Sequence, residues 1–458
     1  MTTRKPVDDV PGERLRRRFR LHPTQVVAVG FAGAILVGTL LLLLPAMSAR
    51  GRSTDPVDAF FTAASAVTTT GLATLDTATH WSFLGQVTII VMTQLGGLGI
   101  LVSAALIGVL LARRISMRTR LNTQGEFRAE GFEDPRRLVR SVVGITFLIE
   151  GIVALMLFLR FVTGYGWDVA QAAWYSIFTS ISAFTNLGFA LESDNMIGFV
   201  GDPFVCLPIC LGTILCGLGF PVIVQLWRDW RHPLRWSMNT NLVVSGTIGL
   251  RVLGSVFFTA AEWNNPRTLG DLDPATRVLA GFFLSAQTRT GGFNSVDLSA
   301  LGHESWFATD VLMFIGTGPA SVGGGIRVTT FLVLFFIMLA ELRGEDQVNI
   351  FGKRLSRAVH RQAITVVLIS VAAVVGPTLL LLALTDVPLA EMLFEVTSAF
   401  STTGLSTGIT PGLPDSAKLV LAVLMFAGRL GPITLGTALI VRDRHLLYEL
   451  PKERPVIG

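Results

Sequence analysis

Four stretches of small and hydroxylated residues recur along this chain. They read SAVTTTGL at 65–72, SAFTNLGF at 182–189, SAQTRTGG at 285–292 and SAFSTTGL at 398–405, with successive starts 117, 103 and 113 residues apart. The shared pattern is Ser-Ala-x-(Thr/Ser)-x-x-Gly. Loops of this composition can turn their carbonyl oxygens inward, and rings of carbonyl oxygens can replace the hydration shell of a monovalent cation. The four stretches therefore predict one cation-binding site assembled from four loops.

Each stretch contributes the residues up to and including its glycine to the predicted ion site. These residues are Thr68, Thr69, Thr70, Gly71, Thr185, Asn186, Leu187, Gly188, Thr288, Arg289, Thr290, Gly291, Ser401, Thr402, Thr403 and Gly404. The second copy departs from a uniform pattern at Asn186-Leu187 and the third at Arg289. An arginine side chain in the ion path would repel cations. We therefore expect only the carbonyl of Arg289 to face the axis, with the guanidinium bonded behind the loop.

The segments that flank the four copies repeat as well. Each copy follows a long apolar helix candidate and a short amphipathic run, at 57–67, 169–182, 275–286 and 388–399. Runs of this length cannot cross the hydrocarbon, which takes about 20 residues in a helix. Each copy is then followed by a polar connection and a second long apolar segment. The repeating unit is a helix, a half-helix, a loop and a helix, and the half-helices point their partially negative C-terminal ends at the cation.

The composition places these units in a membrane. Of the 458 residues, 51% are hydrophobic and 15% are charged, with a mean hydropathy of +0.59, whereas soluble domains contain about 25% charged residues. The apolar runs at 26–46, 83–112 and 363–384 are long enough to span a bilayer. We predict an all-α polytopic membrane protein with eight spanning and four re-entrant helices. Four pseudo-repeated helix–pore half-helix–filter loop–helix units then surround a central pore.

Charge distribution predicts the orientation of these units. The net charge is +5, but Lys and Arg cluster at 14–20, 113–140, 228–235, 343–361 and the C-terminus, and the intervening connections are richer in acid. That alternation follows the positive-inside rule. It predicts a multi-pass protein of the cell membrane with both termini in the cytoplasm and contacts with anionic lipid, and it argues against a nucleic-acid partner. The N-terminal basic run lacks a signal-peptide pattern, so we expect it to be retained.

The predicted organisation has six parts. They are a cytoplasmic basic arm at 1–22, pore repeats at 23–112, 137–226, 238–342 and 362–442, and a cytoplasmic tail at 443–458.

A glycine-rich segment interrupts the third repeat. It reads MFIGTGPASVGGGIRVTTF at 313–331. Interior glycines each cost a helix up to about 1 kcal/mol and a proline about 3 kcal/mol. The segment therefore predicts either a broken helix or a kinked helix that packs closely through its glycines. Arg327, at its end, is expected to bond to an acidic or carbonyl partner.

Two arginines lie inside apolar segments. Arg429 stands in VLMFAGRLGPITL, where Gly97 and Gly217 hold the matching positions of the first and second repeats. An intramembrane charge is a functional hypothesis by default, although a structural ion pair is the alternative. Arg251 lies in the apolar run 241–261, and for it we expect a structural pairing.

Other functions find little support in the residues. The six histidines are scattered, and neither a Ser/His/Asp arrangement nor a GxxxxGK(S/T) phosphate loop is present. Glu150 and Glu395 are isolated and are interpreted as structural, and the three cysteines, at 206, 210 and 216, as apolar packing. We expect neither an enzyme nor a bound cofactor. A carrier built from inverted repeats would show two related halves rather than four parallel copies.

The fourfold motif is similar to that of the Trk/Ktr/HKT superfamily of potassium transporters, and the chain most resembles the KtrB-type pore subunit over residues 22–445. The resemblance implies channel-like uptake of potassium through one filter, and glycine at all four filter positions favours potassium over sodium. A sodium-coupled or sodium-conducting transporter of the same architecture stays open as the alternative, with sodium as a coupling or activating ion. The potassium-binding subunit of a transport ATPase, a longer chain, is a further alternative.

The resemblance also implies a gate and partners. The gate would comprise an intramembrane loop and an arginine below the filter, namely Gly316, Gly318, Ser321, Gly323, Gly324, Gly325, Arg327 and Arg429. Arg429 would act as an electrostatic barrier and hold the loop. The pore subunit would form a homodimer on a cytosolic ring of nucleotide-binding regulatory subunits (KtrA/TrkA-like), with the basic loops and tail as docking surfaces.

Overall fold

The computed structural model describes residues 23–114, 135–345 and 347–431, and the statements below refer to these residues. The predicted arm at 1–22, much of the basic loop at 113–140, the end of the fourth repeat and the tail at 443–458 lie outside them. The α-helices of the described residues are α1 Pro23–Leu42, α2 Pro56–Val67, α3 Phe83–Arg114, α4 Pro135–Gly164, α5 Val169–Phe184, α6 Pro203–Leu218, α7 Phe220–Asp229, α8 Met238–Ala261, α9 Pro274–Gln287, α10 His303–Ile315, α11 Val328–Leu342, α12 Arg357–Leu384, α13 Leu389–Ser401 and α14 Asp415–Leu430.

Short 3-10 helices and one hairpin complete the described structure. The 3-10 helices are Pro45–Met47, Ile197–Phe199, Pro233–Arg235, Leu298–Ala300 and Thr410–Gly412. The antiparallel strands β1 Asn349–Ile350 and β2 Lys353–Arg354 pair between α11 and α12.

The four short helices lie where the amphipathic runs predict them. They are α2, α5, α9 and α13, and their bounds differ from the predicted runs by at most two residues. Three of them directly follow an aspartate whose carboxylate accepts hydrogen bonds from the first turn, namely Asp55, Asp168 and Asp273. Such caps satisfy backbone N–H groups that have no partner within the helix.

Several longer helices are apolar enough to cross a membrane. Among the described residues, α1, α4, α8 and α12 meet this criterion, and α6 with α7 adds a fifth span if the pair counts as one. That pair bends by 100° at Gly219, whose φ is 86°. The expectation of eight spans stays a prediction, in part because the described residues end at position 431, one residue after α14.

Packing between helices runs in a closed circle. Each first long helix packs along the short helix that follows it: α1 on α2, α4 on α5, α8 on α9 and α12 on α13. The helix that follows each motif copy contacts the short helix of the next repeat: α3 contacts α5, α6 contacts α9, α10 contacts α13 and α14 contacts α2. The last contact joins the two ends of the described chain, and all four short helices therefore face a common centre.

The glycine-rich segment is a broken helix. The helix α10 ends at Ile315, α11 begins at Val328, and the intervening residues 316–327 form a non-helical connection, here called the glycine-rich loop. Gly316 and Gly325 have φ of 65° and 75°, which lie outside the right-handed helical region. Of the two predictions for this segment, the kinked continuous helix is wrong.

Candidate ion-binding site

The four motif loops, at 68–72, 185–189, 288–293 and 402–405, share a backbone conformation. In each, a residue in the left-handed region is followed two positions later by a glycine with positive φ. The first set is Thr69, Asn186, Thr290 and Thr402, with φ of 50°, 56°, 66° and 50°. The second set, here called the ring glycines, is Gly71, Gly188, Gly292 and Gly404, with φ of 95°, 81°, 78° and 87°. Glycine tolerates this region at little steric cost, which explains the fixed place of glycine in the motif.

The serine of the motif holds the loop onto its helix. In the first loop, the carbonyl of Ser65 accepts a hydrogen bond from Thr70 N at 2.8 Å and its hydroxyl accepts one from Gly71 N at 3.0 Å. Ser398 makes the same two bonds, to Thr403 N and Gly404 N, at 2.9 and 3.1 Å. These bonds cap the C-terminal ends of α2 and α13, where the partial negative charge of each helix lies.

The ring glycines approach one another closely. A Cβ on Gly71 would overlap the carbonyl oxygen of Leu187, and one on Gly188 would lie 2.5 Å from Gly292 Cα. A Cβ on Gly292 would lie 2.6 Å from Thr403 O, and one on Gly404 would overlap Thr70 O. Each loop therefore contacts the next, and the fourth contacts the first. The four backbones enclose one axis with no room for side chains at the ring positions.

The third loop is shifted by one residue relative to the motif. Gly292, rather than the predicted Gly291, occupies the ring position. A Cβ on Gly291 would meet the side chain of Gln287, away from the other loops, and Gly291 N donates to Gln287 O at 2.8 Å. The serine hydroxyl of this copy, from Ser285, bonds to Arg251 O rather than to the loop. The third loop therefore carries one more residue between the serine and the ring glycine than the other three loops do.

Arg289 turns its side chain away from the ring. Its guanidinium donates to the carbonyl of Gly316 from Nη2 at 2.7 Å and Nε at 3.1 Å, and to the carbonyl of Thr247 at 3.4 Å. Neither acceptor belongs to a motif loop. The expectation that this side chain bonds behind the loop agrees with these contacts. The expectation that its carbonyl faces the axis stays a prediction.

The second loop has a bond that sequence reasoning did not find. Asn186 Nδ2 donates to Thr290 Oγ1 at 2.9 Å, so a side chain of the second loop ties it to the third. The sequence marks Asn186 only as a departure from threonine, and nothing in its local pattern names the partner.

An acidic cavity of about 430 Å³ opens on the ring. All four ring glycines line it, together with the carboxylates Asp76, Glu192, Asp194 and Asp297, and no Lys or Arg is among its described lining residues. Three of these acids belong to the acidic connections seen in the sequence, but their convergence on one cavity, with Asp76, was not predicted. A cavity lined by acids and by no described base has a negative potential, which is of the kind that attracts cations.

The carboxylates of the acidic cavity differ in their pKa. Burial raises the pKa of Glu192, and the neighbouring charges of Asp194 and Asp76 raise it further. Burial by itself would also raise the pKa of Asp76, but hydrogen bonds from the Ser193 and Thr79 hydroxyls and from two backbone N–H groups outweigh it and lower the pKa. Asp76 therefore keeps its charge at lower pH than Glu192 does.

The glycine-rich loop packs against the motif loops on the helix side of the ring. Gly324 N donates to Ser401 O at 3.2 Å, and a Cβ on Gly324 would lie 2.6 Å from that oxygen. A Cβ on Gly323 would overlap Thr290 Oγ1. The contacted residues precede the ring glycines in the chain, whereas the acidic cavity is lined by the ring glycines and residues that follow them. The ring thus lies between the cavity and the glycine-rich loop.

Two arginines fix the glycine-rich loop. Arg327 Nη1 donates to the carbonyl oxygens of Gly318, at 3.4 Å, and of Gly323, which are partners of the kind expected, and also to the hydroxyl Ser321 Oγ at 3.2 Å. Arg429 is 2% exposed. It donates from Nη1 to Val322 O and from Nη2 to Gly96 O at 3.3 Å, so it links the loop to α3.

The structure agrees with the structural roles expected of Glu395 and Glu150 but not with the pairing expected of Arg251. Glu395 is buried and accepts from Ser406 Oγ and from Thr410 Oγ1 at 3.0 Å, which braces the segment after the fourth loop. Glu150 accepts from Gln94 Nε2 at 3.0 Å. The expectation of a structural pairing for Arg251 is not met within the described residues, where its guanidinium nitrogens have no hydrogen-bond partner. This side chain is 5% exposed, so its charge is withdrawn from water without a hydrogen-bond partner in the described structure.

Sequence relatives place the chain among transport proteins. Residues 21–444 match the family model TrkH, described as a cation transport protein. The chain is 37% identical to the Ktr system potassium uptake protein B of Bacillus subtilis, over 92% of this chain and 94% of that protein. It is 35% identical to the protein of the same name from Vibrio alginolyticus, over 95% and 94% of the two chains. It is 32% identical to the potassium/sodium uptake protein NtpJ of Enterococcus hirae, over 97% and 99%.

A solved structure shares the fold. The crystal structure of the potassium transporter TrkH from Vibrio parahaemolyticus superimposes with a TM-score of 0.70 at 20% identity, and the alignment covers 91% of this chain and 84% of that chain. The helical membrane architecture and the family model lead to the same assignment. The chain belongs to the TrkH family of cation transport proteins.

Proposed function

We propose that this protein takes up potassium across the cytoplasmic membrane by channel-like conduction through a single selectivity filter formed by the four motif loops. The observation that carries the proposal is the closed ring, in which each ring glycine abuts the backbone of the next loop. Backbone oxygens held this closely around one axis can replace the water around a monovalent cation. The names of the Bacillus and Vibrio relatives, potassium uptake proteins, agree with this cation.

The filter is assigned to the residues that precede each ring glycine and to the glycine itself. These are residues 68–71, 185–188, 288–292 and 401–404. A cation gathers in the acidic cavity, which faces the cell exterior in this proposal, and loses water as it enters the ring. The C-terminal ends of the four short helices stabilise it there. The Arg289 charge, bonded to Gly316, stays out of its path.

The glycine-rich loop and Arg429 form the gate in this proposal. The loop contacts Ser401 and Thr290 directly beneath the ring, so a cation that leaves the ring meets it first. Arg429 holds the loop through Val322 O and places a positive charge in a buried position next to the path. Movement of the loop away from the ring opens the path. The charge of Arg429 raises the barrier for a cation while the loop is in place.

A sodium-conducting or sodium-coupled transporter of the same architecture is the second candidate. The specific observation in its favour is the likeness to NtpJ, whose name includes both potassium and sodium. In the superfamily that the sequence resembles, glycine at the filter positions favours potassium over sodium, and all four ring positions here are glycine.

The assembly proposed for this chain has a cytosolic partner. The word "system" in the names of the Ktr relatives supports a multi-component assembly. We assign it a homodimer of the pore chain, both termini in the cytoplasm, and a nucleotide-binding regulatory ring that docks on the basic loops. Co-purification of the full chain with such a ring, and uptake that depends on added nucleotide, tests this part.

The test of the filter uses the full chain in cells that lack their own potassium uptake. Wild-type protein is expected to restore growth at low potassium and to take up potassium with sodium as a weak competitor. Gly71→Ala is expected to abolish uptake, because its Cβ overlaps Leu187 O. Gly376→Ala, in α12 with no atom near the added Cβ, is the matched control. If Gly71→Ala takes up potassium at the same rate and with the same selectivity as Gly376→Ala, the filter assignment is wrong. If the wild type takes up sodium as fast as potassium, the second candidate is favoured.

A further inference from the structure

Arg251 is a buried cation without a counter-charge. It lies in the middle of α8 and is 5% exposed. Its Nε, Nη1 and Nη2 all lack a hydrogen-bond partner among the described residues. A charge removed from water costs several kcal/mol, even after the protein relaxes, unless it is paired and hydrogen-bonded. Five N–H donors with no acceptor therefore require an explanation.

The neighbouring residues add positive charge and supply no negative charge to balance it. Arg289 lies close enough for the two guanidinium charges to repel each other, and its own donors are occupied by Gly316 O and Thr247 O. Among the described residues, no Asp or Glu forms an ion pair or a hydrogen bond with Arg251. Two positive charges thus lie together behind the third motif loop.

A second donor without a partner lies close to Arg251 along α8. Thr247 precedes it by one helical turn, on the same face of α8, is 4% exposed, and has a hydroxyl without a partner in the described structure. On the opposite side, Gly217 of α6 presents no side chain, and Arg251 Nη2 lies 3.8 Å from the point where a Cβ would be. An unpaired guanidinium and an unpaired hydroxyl are donors that match a small anion.

We propose that Arg251 and Thr247 bind a monovalent inorganic anion, chloride in the cell, between α6, α8 and the third motif loop. The anion offsets the charges of Arg251 and Arg289, which otherwise lie unscreened behind a loop that approaches the cation. It accepts hydrogen bonds from the guanidinium and from the Thr247 hydroxyl. The site exists whether or not the ring conducts potassium, so a failed transport test does not remove it.

Bromide is the probe for this site, because it replaces chloride and has a strong anomalous signal. The full-length protein is purified and crystallised in bromide without chloride. We expect an anomalous peak within hydrogen-bond distance of the Arg251 guanidinium, and its loss in Arg251→Met. Wild-type crystals without a peak there overturn the proposal. So does density in which Gln287 Oε1 or Cys210 Sγ is the partner of the guanidinium.

A stability measurement covers the case in which Arg251→Met does not fold. Thermal unfolding of the wild-type full chain is compared in potassium chloride and in potassium gluconate of equal concentration. Because an anion that binds only the folded state stabilises it, the Tm is expected to be higher in chloride. Thr247→Val is expected to reduce this difference, and Ser245→Ala, on the exposed side of α8, to retain it. Equal Tm of the wild type in the two salts contradicts the proposal.

Discussion

Arg289 donates two hydrogen bonds to one carbonyl oxygen, that of Gly316, from Nη2 at 2.7 Å and from Nε at 3.1 Å. Arg289 belongs to the third motif loop, and Gly316 is the first residue of the glycine-rich loop. The pair therefore joins the ring to the start of the element that lies beneath it. A single buried side chain both keeps its charge away from the axis and fixes the distance between the two loops.

Replacement of this arginine should loosen both loops. Arg289→Met removes the bonds to Gly316, and each hydrogen bond to a charged group contributes roughly 1.5–3 kcal/mol. We expect a lower Tm of the full chain and several-fold slower potassium uptake. Arg289→Lys should lie between, because an ammonium cannot reproduce the fork of two parallel bonds. Arg267→Met, an exposed arginine, is the control, and the assignment fails if Arg289→Met matches it in both measurements.

The contact between Gly324 and Ser401 gives a prediction for the gate. Gly324→Ala places a Cβ about 2.6 Å from Ser401 O, so the glycine-rich loop must move away from the fourth motif loop. If the loop closes the path, this variant should show faster basal uptake than the wild type, measured as rubidium influx into proteoliposomes without regulatory partners. Gly376→Ala is the control for the added methyl group. Slower influx in Gly324→Ala, with folded protein, would mean that the loop supports conduction rather than blocking it.

The sequence is sufficient for the elements whose causes are local. The short helices follow from apolar runs too short to span, and the Asp-Pro starts of α2 and α9 mark where they begin. The break at 316–327 follows from the cost of five glycines and a proline in one span. The bonds of Arg289, Arg327 and Arg429 to carbonyl oxygens agree with the rule that a buried cation is hydrogen-bonded to an acceptor.

Features that depend on distant parts of the chain could not be predicted. Gly291 and Gly292 are adjacent, and only the packing of the third loop on Gly188 and Thr403 selects the second. The convergence of Asp76 with Glu192 on one cavity depends on loops of different repeats. The missing partner of Arg251 is likewise invisible in the sequence, since pairing is decided by what α6 and α9 bring beside α8.

Removal of the Arg429 charge should raise conduction. Arg429→Met loses the hydrogen bonds to Val322 O and Gly96 O and the positive charge beneath the ring. A barrier lowered by about 1.4 kcal/mol corresponds to about tenfold faster passage, and we expect rubidium influx to rise by roughly this factor. Arg429→Lys keeps the charge but cannot donate to both carbonyl oxygens in the same geometry, so its influx should remain closer to the wild type. Equal influx in the wild type and in Arg429→Met would contradict the proposal that the Arg429 charge is a barrier to the cation.

The acidic cavity predicts a pH dependence of uptake. The raised pKa of Glu192 means that this carboxylate takes up a proton first as the pH falls, while Asp76, with its lowered pKa, stays ionised. The cavity then loses negative charge, and uptake at subsaturating potassium should decrease with acidification, most strongly at low ionic strength. Glu192→Gln should have reduced uptake already at neutral pH and a smaller pH effect. Glu304→Gln, an exposed acid outside the cavity, should retain the wild-type profile.

The ion pair between Lys418 and Asp58 should hold the circle of helices closed. Lys418 Nζ lies 2.8 Å from Asp58 Oδ1, the side chains are 10% and 16% exposed, and the pair joins α14 to α2. Loss of one partner leaves a mostly buried charge unpaired, so Lys418→Met should destabilise the folded protein by roughly 3 kcal/mol, measured as a lower Tm of the full chain in detergent. Lys418→Met combined with Asp58→Asn removes both charges and should recover most of that loss. Additive effects of the two substitutions would show that the residues do not interact, and the closure of the circle would then rest on apolar packing between α14 and α2 alone.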